Sequence, residues 1–403
     1  MHSVYTVRFG RVLLLASIIA AVAAVAAYGS ATTNTSSHVA SSSKLPPTPP
    51  ADGANVAGAQ QYVLQNVGQP KFTPMGPDFN IKLVKKPVWF ISPPANAPPA
   101  QNVYAGFAAA GKAAGVPTHL CLGAGTPEGN ALCLQEAAAQ GAGSAVWQSI
   151  AVKELVGPIT RANAAGVKTI AGMDALRIGE PTPKPAEFEV SHNYLQTGEL
   201  VGGYAVAAKG GALDAMCINI PDYTTATAVC AGFTQEVHKF CPKCKVTTKV
   251  IPSQAVATEL GADVSAAALS DPHLDFIMDG YDYLGPYVET ELKALGKTAS
   301  QIMVGGENGT LQALSDIRSG NYQALSVGQD PYWWGWGMFD AAARAQVPGA
   351  LTRAAVQDSP NVLFTRQTFH YTGSITYGAS DAIYGLGNGA LYKNGFLKEW
   401  KLK

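Results

Sequence analysis

Two carboxamides, Asn308 and Gln329, each follow an apolar run that ends in glycine: Met303-Val304 before Gly305-Gly306-Glu307, and Leu325 to Val327 before Gly328. A carboxamide donates and accepts hydrogen bonds, so two of them at strand ends suit the recognition of a neutral, hydroxylated molecule. In an open parallel sheet, small ligands collect beyond the carboxyl ends of the strands. The competing reading makes each a turn or cap residue bonded to its own backbone. Tyr281, Tyr283, Tyr332, Trp333, Trp334 and Trp336 lie close by in sequence. Their faces suit the C–H surface of a sugar or polyol, or else they are core residues. Catalytic motifs are missing: there is no Walker loop, His-Glu-x-x-His, Gly-x-Ser-x-Gly or EF-hand loop. His192 and Asp282 are the residues a dispersed catalytic dyad could use, with His192 otherwise a polar residue between lobes.

The elements that must position these groups alternate. Val88–Ile91 reads as a buried strand. A helix with Val103, Phe107, Ala110 and Ala114 on one face follows, then a strand at Thr118–Leu122. Gly123-Ala-Gly125 lacks the third glycine of a dinucleotide fingerprint, because Glu128 stands there, and reads as a turn. Strands at 144–147 and 168–171 alternate with helices at 131–139 and 152–165. Pro181, Pro183 and Pro185 then mark a loop. A second series begins with a helix at Asn193, with strands at 215–220, 245–251, 275–278, 302–304 and 324–327. A helix at 334–345 and a strand at 362–368 close the pattern. Strands alternating with helices of ten to fifteen residues predict an α/β fold of doubly wound parallel sheets.

The 403 residues exceed one ordinary domain, and Lys plus Arg (28) balance Asp plus Glu (28), which gives no field to attract nucleic acid. Arg8 and Arg11 precede an uncharged run from Val12 to Ala27, followed by small residues. This reads as an export signal over 1–31, with an uncleaved anchor as the alternative. Residues 32–84, rich in Ser, Ala, Pro and Gly and without an apolar period, read as a disordered tether. Six cysteines, Cys121, Cys133, Cys217, Cys230, Cys241 and Cys244, fit disulfides in an exported chain. Sequence alone allows about fifteen pairings, of which the nearest-neighbour scheme is one. A zinc site at His238-x-x-Cys241-x-x-Cys244 is the other reading.

From about Lys86 to about Gln367 the chain resembles the type I periplasmic solute-binding proteins, the ribose/galactose-binding family that serves sugar ABC importers. The resemblance implies two lobes joined by three crossings: an N-terminal lobe of 85–190 plus 330–368, a C-terminal lobe of 191–329, and an extension over 369–403. Tyr371, Tyr377, Tyr384 and Tyr392 suggest that the extension packs on a lobe. The resemblance also implies ligand contacts at Asn96, Asp174, Tyr281, Asp282, Asn308 and Gln329, with Tyr223 standing in for a lost group and Trp333 among the cleft aromatics. Two departures stand out. Met173-Asp174 replaces an Asp-Arg pair, and Thr224 to Cys230 offers no arginine before Gly232-Phe233; Tyr223 and Thr224 are the candidates to fill the space, and Arg177 is either a group that reaches in or an exposed arginine of the proline-rich loop. The implied function is non-catalytic and cofactor-free: a monomeric, extracytoplasmic protein that closes on a small neutral ligand and delivers it to an ABC permease. A sensory protein presenting the ligand to a receptor is the alternative, and an extracytoplasmic enzyme a more distant one.

Overall fold

A computed structural model describes residues 51–67, 70–92, 100–173, 178–351 and 356–403. The export signal, Asn96, Asp174 and Arg177 lie outside the described residues. Two six-stranded sheets form the frame. The first has the order β11-β5-β4-β3-β1-β2 and is wholly parallel: β1 (Val88–Ser92), β2 (Thr118–Leu122), β3 (Ser144–Gln148), β4 (Lys168–Gly172), β5 (Phe188–Ser191) and β11 (Val356–Gln357). The second has the order β12-β10-β9-β8-β6-β7: β6 (Asp214–Asn219), β7 (Lys245–Val250), β8 (Phe276–Met278), β9 (Met303–Asn308), β10 (Gln323–Gly328) and β12 (Val362–Thr365). Its first five strands are parallel and β12 is antiparallel to β10.

Central strands read as unbroken apolar runs because helices cover both faces. Val88, Trp89, Phe90 and Ile91 are all buried; Phe90 meets Phe107 of α2 (Ala100–Ala114), and Ile91 belongs to the core on the opposite face. In the second lobe, α5 (Tyr194–Ala208) and α6 (Thr224–Phe240) pack on one face of the sheet, with α7 (Val256–Ser270) and α8 (Gly285–Ala294) on the other. α10 (Pro331–Arg344) returns to the first lobe, where Met338 and Phe339 join its core.

Several expectations are corrected. The tether expected over 32–84 holds structure at 51–67 and 70–84: α1 (Val56–Asn66), capped by the Asn55 side chain on Gly58 N–H, lies on α5 and α6. Ala59 there is fully buried, and Tyr62 donates to Glu199 at 3.0 Å. Residues 72–84 then pack on the first lobe through Phe72, Met75, Phe79 and Ile81. The weak apolar content of this stretch hid the fact that a few buried anchors suffice when a lobe already supplies the surface. The strand at 362–368, assigned to the N-terminal lobe, is short and pairs with β10 of the second sheet. An isolated apolar run carries no record of its partner.

The described residues therefore pass between the lobes five times: at Ser191–Tyr194, at Gly328–Pro331, between β11 and β12, between α1 and Phe72, and between β12 and α12 (Ala390–Glu399). The last segment packs as the tyrosines suggested. Tyr392 is buried against Trp333 and Trp336, and Trp400 stacks on Trp336 with centroids 5.5 Å apart. Arg344, also buried, donates to Asp340 and Glu399 at 2.5 Å and to the Pro77 carbonyl at 2.6 Å, so one side chain gathers α10, the N-terminal segment and α12.

The cysteines pair as Cys121–Cys133, Cys217–Cys230 and Cys241–Cys244. The last pair occupies two of the three ligands a zinc site would have used. Among the described residues no helix is long and apolar enough to cross a membrane.

Candidate functional site

β9 runs past the two glycines where its apolar run stops. Side chains on Gly305 would strike Leu325 and Phe276, and on Gly306 would strike Asp279 and Asp282. The glycines are thus strand residues that make room, and they carry the strand on to Glu307 and Asn308. Glu307 is fully buried; its Oε2 accepts from Asn308 Nδ2 at 3.0 Å, and its Oε1 has no hydrogen-bond partner. Burial first, and then the Asp282 charge, hold the Glu307 carboxyl well above the ordinary range.

Around Glu307 stand aromatic hydroxyls. Tyr194, the first residue of α5, is fully buried with an unpartnered hydroxyl. Burial and then the Glu307 charge raise its pKa. Tyr281 is raised by the same two causes in the same order, and its hydroxyl lies 2.5 Å from Thr225 Oγ1 at the start of α6. Tyr281 stacks on Tyr283 at 5.6 Å and meets the edge of Tyr223 at 6.0 Å, so the three tyrosines form one aromatic face that is partly open to solvent.

The row continues through the hinge into the first lobe. His192, at the first crossing, places Nδ1 2.6 Å from Asp358 Oδ1 at the third. The imidazole lies 5.5 Å from the Tyr194 ring and 4.4 Å from Trp334 of α10, centroid to centroid. His192 Nε2, Asp358 Oδ2 and Trp334 Nε1 are buried without partners. On the first-lobe side, Gln148 at the end of β3 donates to Met173 Sδ at 3.7 Å and leaves Oε1 unpartnered. Met173 has φ 64° and packs against the apolar clusters of both lobes. The residue that departs from the expected Asp-Arg pair is thus a contact between lobes.

Among the residues expected to bind ligand, the structure separates several. Tyr223 and Tyr281 come together. Asp282 does not join them: its Oδ1 accepts from Gln323 Nε2, and its Oδ2 from Ser326 Oγ and Thr310 N–H, so it braces the β8, β9 and β10 ends from inside the lobe. Burial pushes its carboxyl up to about 7. Asn308 and Gln329 do meet, in a small crevice roofed by Tyr377, Ser380 and Tyr384 of the C-terminal segment. Gln329 donates to Asn361 Oδ1 at 2.8 Å, and Asn361 donates to the Asn193 carbonyl at 3.0 Å and to Gln196 Oε1 at 3.2 Å. Gln329 therefore joins three crossings. Trp333 faces away from the tyrosines, between Phe72 and Tyr392, as part of the clamp on the two terminal segments. Strand-period reading alone cannot say on which side of the sheet a terminal residue falls when glycines extend the strand. That is why Glu307 and Tyr194 were missed, and why His192 and Trp334, already noted as a polar residue between lobes and a cleft aromatic, were not joined to them; the signal that could have found Glu307 is an acid placed directly after paired glycines.

A family model described as a periplasmic binding protein domain matches residues 88–349. No curated protein sequence matches the chain. Solved structures share the fold at low identity. An ABC transporter solute-binding protein from Agrobacterium vitis with bound allitol is 18% identical, with 71% of this chain and 97% of that one covered at a TM-score of 0.60. A 5-methylthioribose transporter solute-binding protein from Thermotoga lettingae is 15% identical, covering 76% and 98% at 0.61. The Caulobacter myo-inositol binding protein is 18% identical, covering 76% and 97% at 0.60.

Proposed function

The chain belongs to the periplasmic binding protein domain family, with the two parallel-sheet lobes of the type I fold, and on that premise we propose that it is an extracytoplasmic solute-binding protein of an ABC importer. It closes two lobes around a small hydroxylated ligand and carries out no chemistry on it. The observation that carries this reading is the row of buried polar atoms without protein partners, Trp334 Nε1, His192 Nε2, Asp358 Oδ2, Tyr194 Oη and Glu307 Oε1, running from the first lobe across the hinge to the second. Buried polar groups are hydrogen-bonded in folded proteins. A string of unpaired donors and acceptors beside an aromatic face matches a ligand with several hydroxyls on one side and a C–H surface on the other. Relatives with bound allitol, 5-methylthioribose and myo-inositol support that class.

Ligand contacts come from both lobes, so closure is favoured by whatever the ligand gains in the closed state over the open one. Of the residues singled out in the sequence, Tyr223 and Tyr281 keep a direct role in this proposal, and Asn96 and Asp174 remain proposed contacts. Asn308 and Gln329 act through Glu307 and the hinge, Asp282 braces the strand ends, and Trp333 anchors the termini.

The test is a thermal-shift and calorimetric screen of the exported protein against sugars, polyols and their amino derivatives, with small-angle scattering to follow compaction. A ligand at a hundred times its Kd stabilises the folded state by about 2.7 kcal/mol, and the radius of gyration falls on closure. A screen in which no compound of these classes raises the melting temperature at millimolar concentration overturns the reading.

A further inference from the structure

The row of groups around Glu307 is acidic and aromatic, and among the described residues the strand ends beside it supply no free cation. Ser92, Leu122, Gln148 to Ile150, Gly172-Met173, Ser191 to Asn193, Asn219 to Tyr223, Asp279 to Tyr283, Glu307-Asn308 and Gln329-Asp330 carry no Lys or Arg, and Lys249 at the end of the edge strand β7 is paired with Asp263 at 2.6 Å. Lys153, in the turn after β3, is exposed. Asp279 is fully buried, and burial first, then the Asp282 and Glu307 charges, hold its carboxyl well above the ordinary range. His192, the one group on the row that can take a positive charge, is occupied at Nδ1 by Asp358.

Two independent observations bear on what completes this site. The first is Glu307 itself, fully buried, with one oxygen bonded to Asn308 and the other to nothing. Burial favours the neutral acid and leaves its second oxygen unpaired, and ionisation becomes favourable once a cation is in contact to offset the cost of a bare charge in a dry site. The second is the company it keeps. Tyr194 is wholly buried with a free hydroxyl, Tyr281, Tyr283 and Tyr223 form a continuous aromatic face, and the Glu307 charge acts on Tyr194, Tyr281 and Tyr283 alike. Aromatic faces with a carboxylate among them form the surroundings that hold an ammonium group, by attraction to the ring quadrupoles and to the carboxylate together.

We propose that the ligand is a hydroxylated small molecule bearing a protonated amine, an amino sugar or amino polyol, whose ammonium group is held by Glu307 against the faces of Tyr194 and Tyr281. This rests on the binding-protein reading above and narrows its ligand class. The ammonium takes a charge role for which the described strand ends around Glu307 offer no side chain, and the hydroxyls meet the polar atoms of Trp334, His192 and Asp358. Binding ionises Glu307 in every molecule in which the free protein holds it protonated, and that proton passes to solvent.

The experiment pairs each amine with its neutral parent: D-glucosamine with D-glucose, and N-methyl-D-glucamine with sorbitol. Each is titrated into the full exported protein by isothermal calorimetry at pH 7 in two buffers of different ionisation enthalpy. The expected result is at least a tenfold preference for the amine in one pair or both, with a binding enthalpy that depends on the buffer and reports net proton release. Glu307→Gln, checked for folding by circular dichroism, should collapse the amine-to-parent ratio toward one. If that variant does not fold, the buffer dependence in the unaltered protein is the deciding reading. Neutral parents that bind as tightly as the amines, with no proton release, overturn this inference and leave the binding-protein reading standing. An absence of binding by all four probes, together with a blank screen, overturns both.

Discussion

Replacing Asn361 with alanine tests whether the hinge is held by the amide cluster that joins three of the crossings. The substitution removes the acceptor of Gln329 Nε2 at 2.8 Å and both bonds donated by Asn361, to Asn193 O at 3.0 Å and to Gln196 Oε1 at 3.2 Å. Each bond is worth about 0.5–1.5 kcal/mol net, and Gln329, buried at 5% exposure, is left with an unpaired donor. Asn361 is only half-buried, so water replaces part of what is lost on its side. The sum is about 2 kcal/mol. A domain of roughly 350 residues unfolds with an entropy of about 0.7 kcal/mol/K near its midpoint, so the melting temperature should fall by about 3 °C. Differential scanning calorimetry and urea titration measure this, with an unchanged m-value marking a loss of stability rather than a change of compactness. Asn361→Asp keeps the acceptor for Gln329 and loses the two donated bonds, so it should fall between the two. An Asn361→Ala protein that melts with the parent, within about half a degree, refutes the claim that these amides hold the crossings together.

Two further outcomes follow from buried charge. Arg344→Met leaves Asp340 and Glu399 buried without their guanidinium and should cost about 3–5 kcal/mol, read as a shift in the urea midpoint; a shift under about 1 kcal/mol would contradict the role of Arg344 in gathering the terminal segments. Burial holds the Asp282 carboxyl up to about 7 in the folded chain, against about 3.9 when unfolded. Between those values the folded state keeps a proton that the unfolded chain releases, so this contribution is fully present below the unfolded value and is lost as pH rises through 7. Between pH 8 and pH 5 the parent should gain on the order of 1–3 kcal/mol more than Asp282→Asn, and parallel pH profiles for the two proteins would refute the assignment.

The alternation that gave the α/β class was legible because central strands and their helices differ in apolar period. Val88–Ile91, Thr118–Leu122 and Lys245–Ile251 all fall on strands to within a residue. Short or sheltered elements were not legible. β11 has two residues, α1 carries a single fully buried side chain, Ala59, and β5 follows a proline-rich loop that reads as its continuation. The candidate site suffered most. Periodicity marks where a strand runs out, and Asn308 and Gln329 were chosen on that basis. Whether an end residue points to the cleft, to the hinge or under the sheet depends on strand extension and on what packs behind it. Glu307 lies one residue before Asn308 and its charge is felt by Tyr194 and Tyr281, while Asn308 lines the crevice under the C-terminal segment.

The five passages between lobes bear on how the molecule comes apart. With three adjacent crossings at one edge, two lobes with separate cores can melt independently, each at its own temperature. Here α1 covers α5 and α6 of the second lobe while the residues just beyond it are locked under Trp333 and Phe396 of the first, and the chain that leaves β12 ends on α10. Neither lobe can lose its structure without stripping a packed segment from the other. The terminal segments therefore make one cooperative unit of two cores, and a partly unfolded molecule with one intact lobe is a state this architecture disfavours.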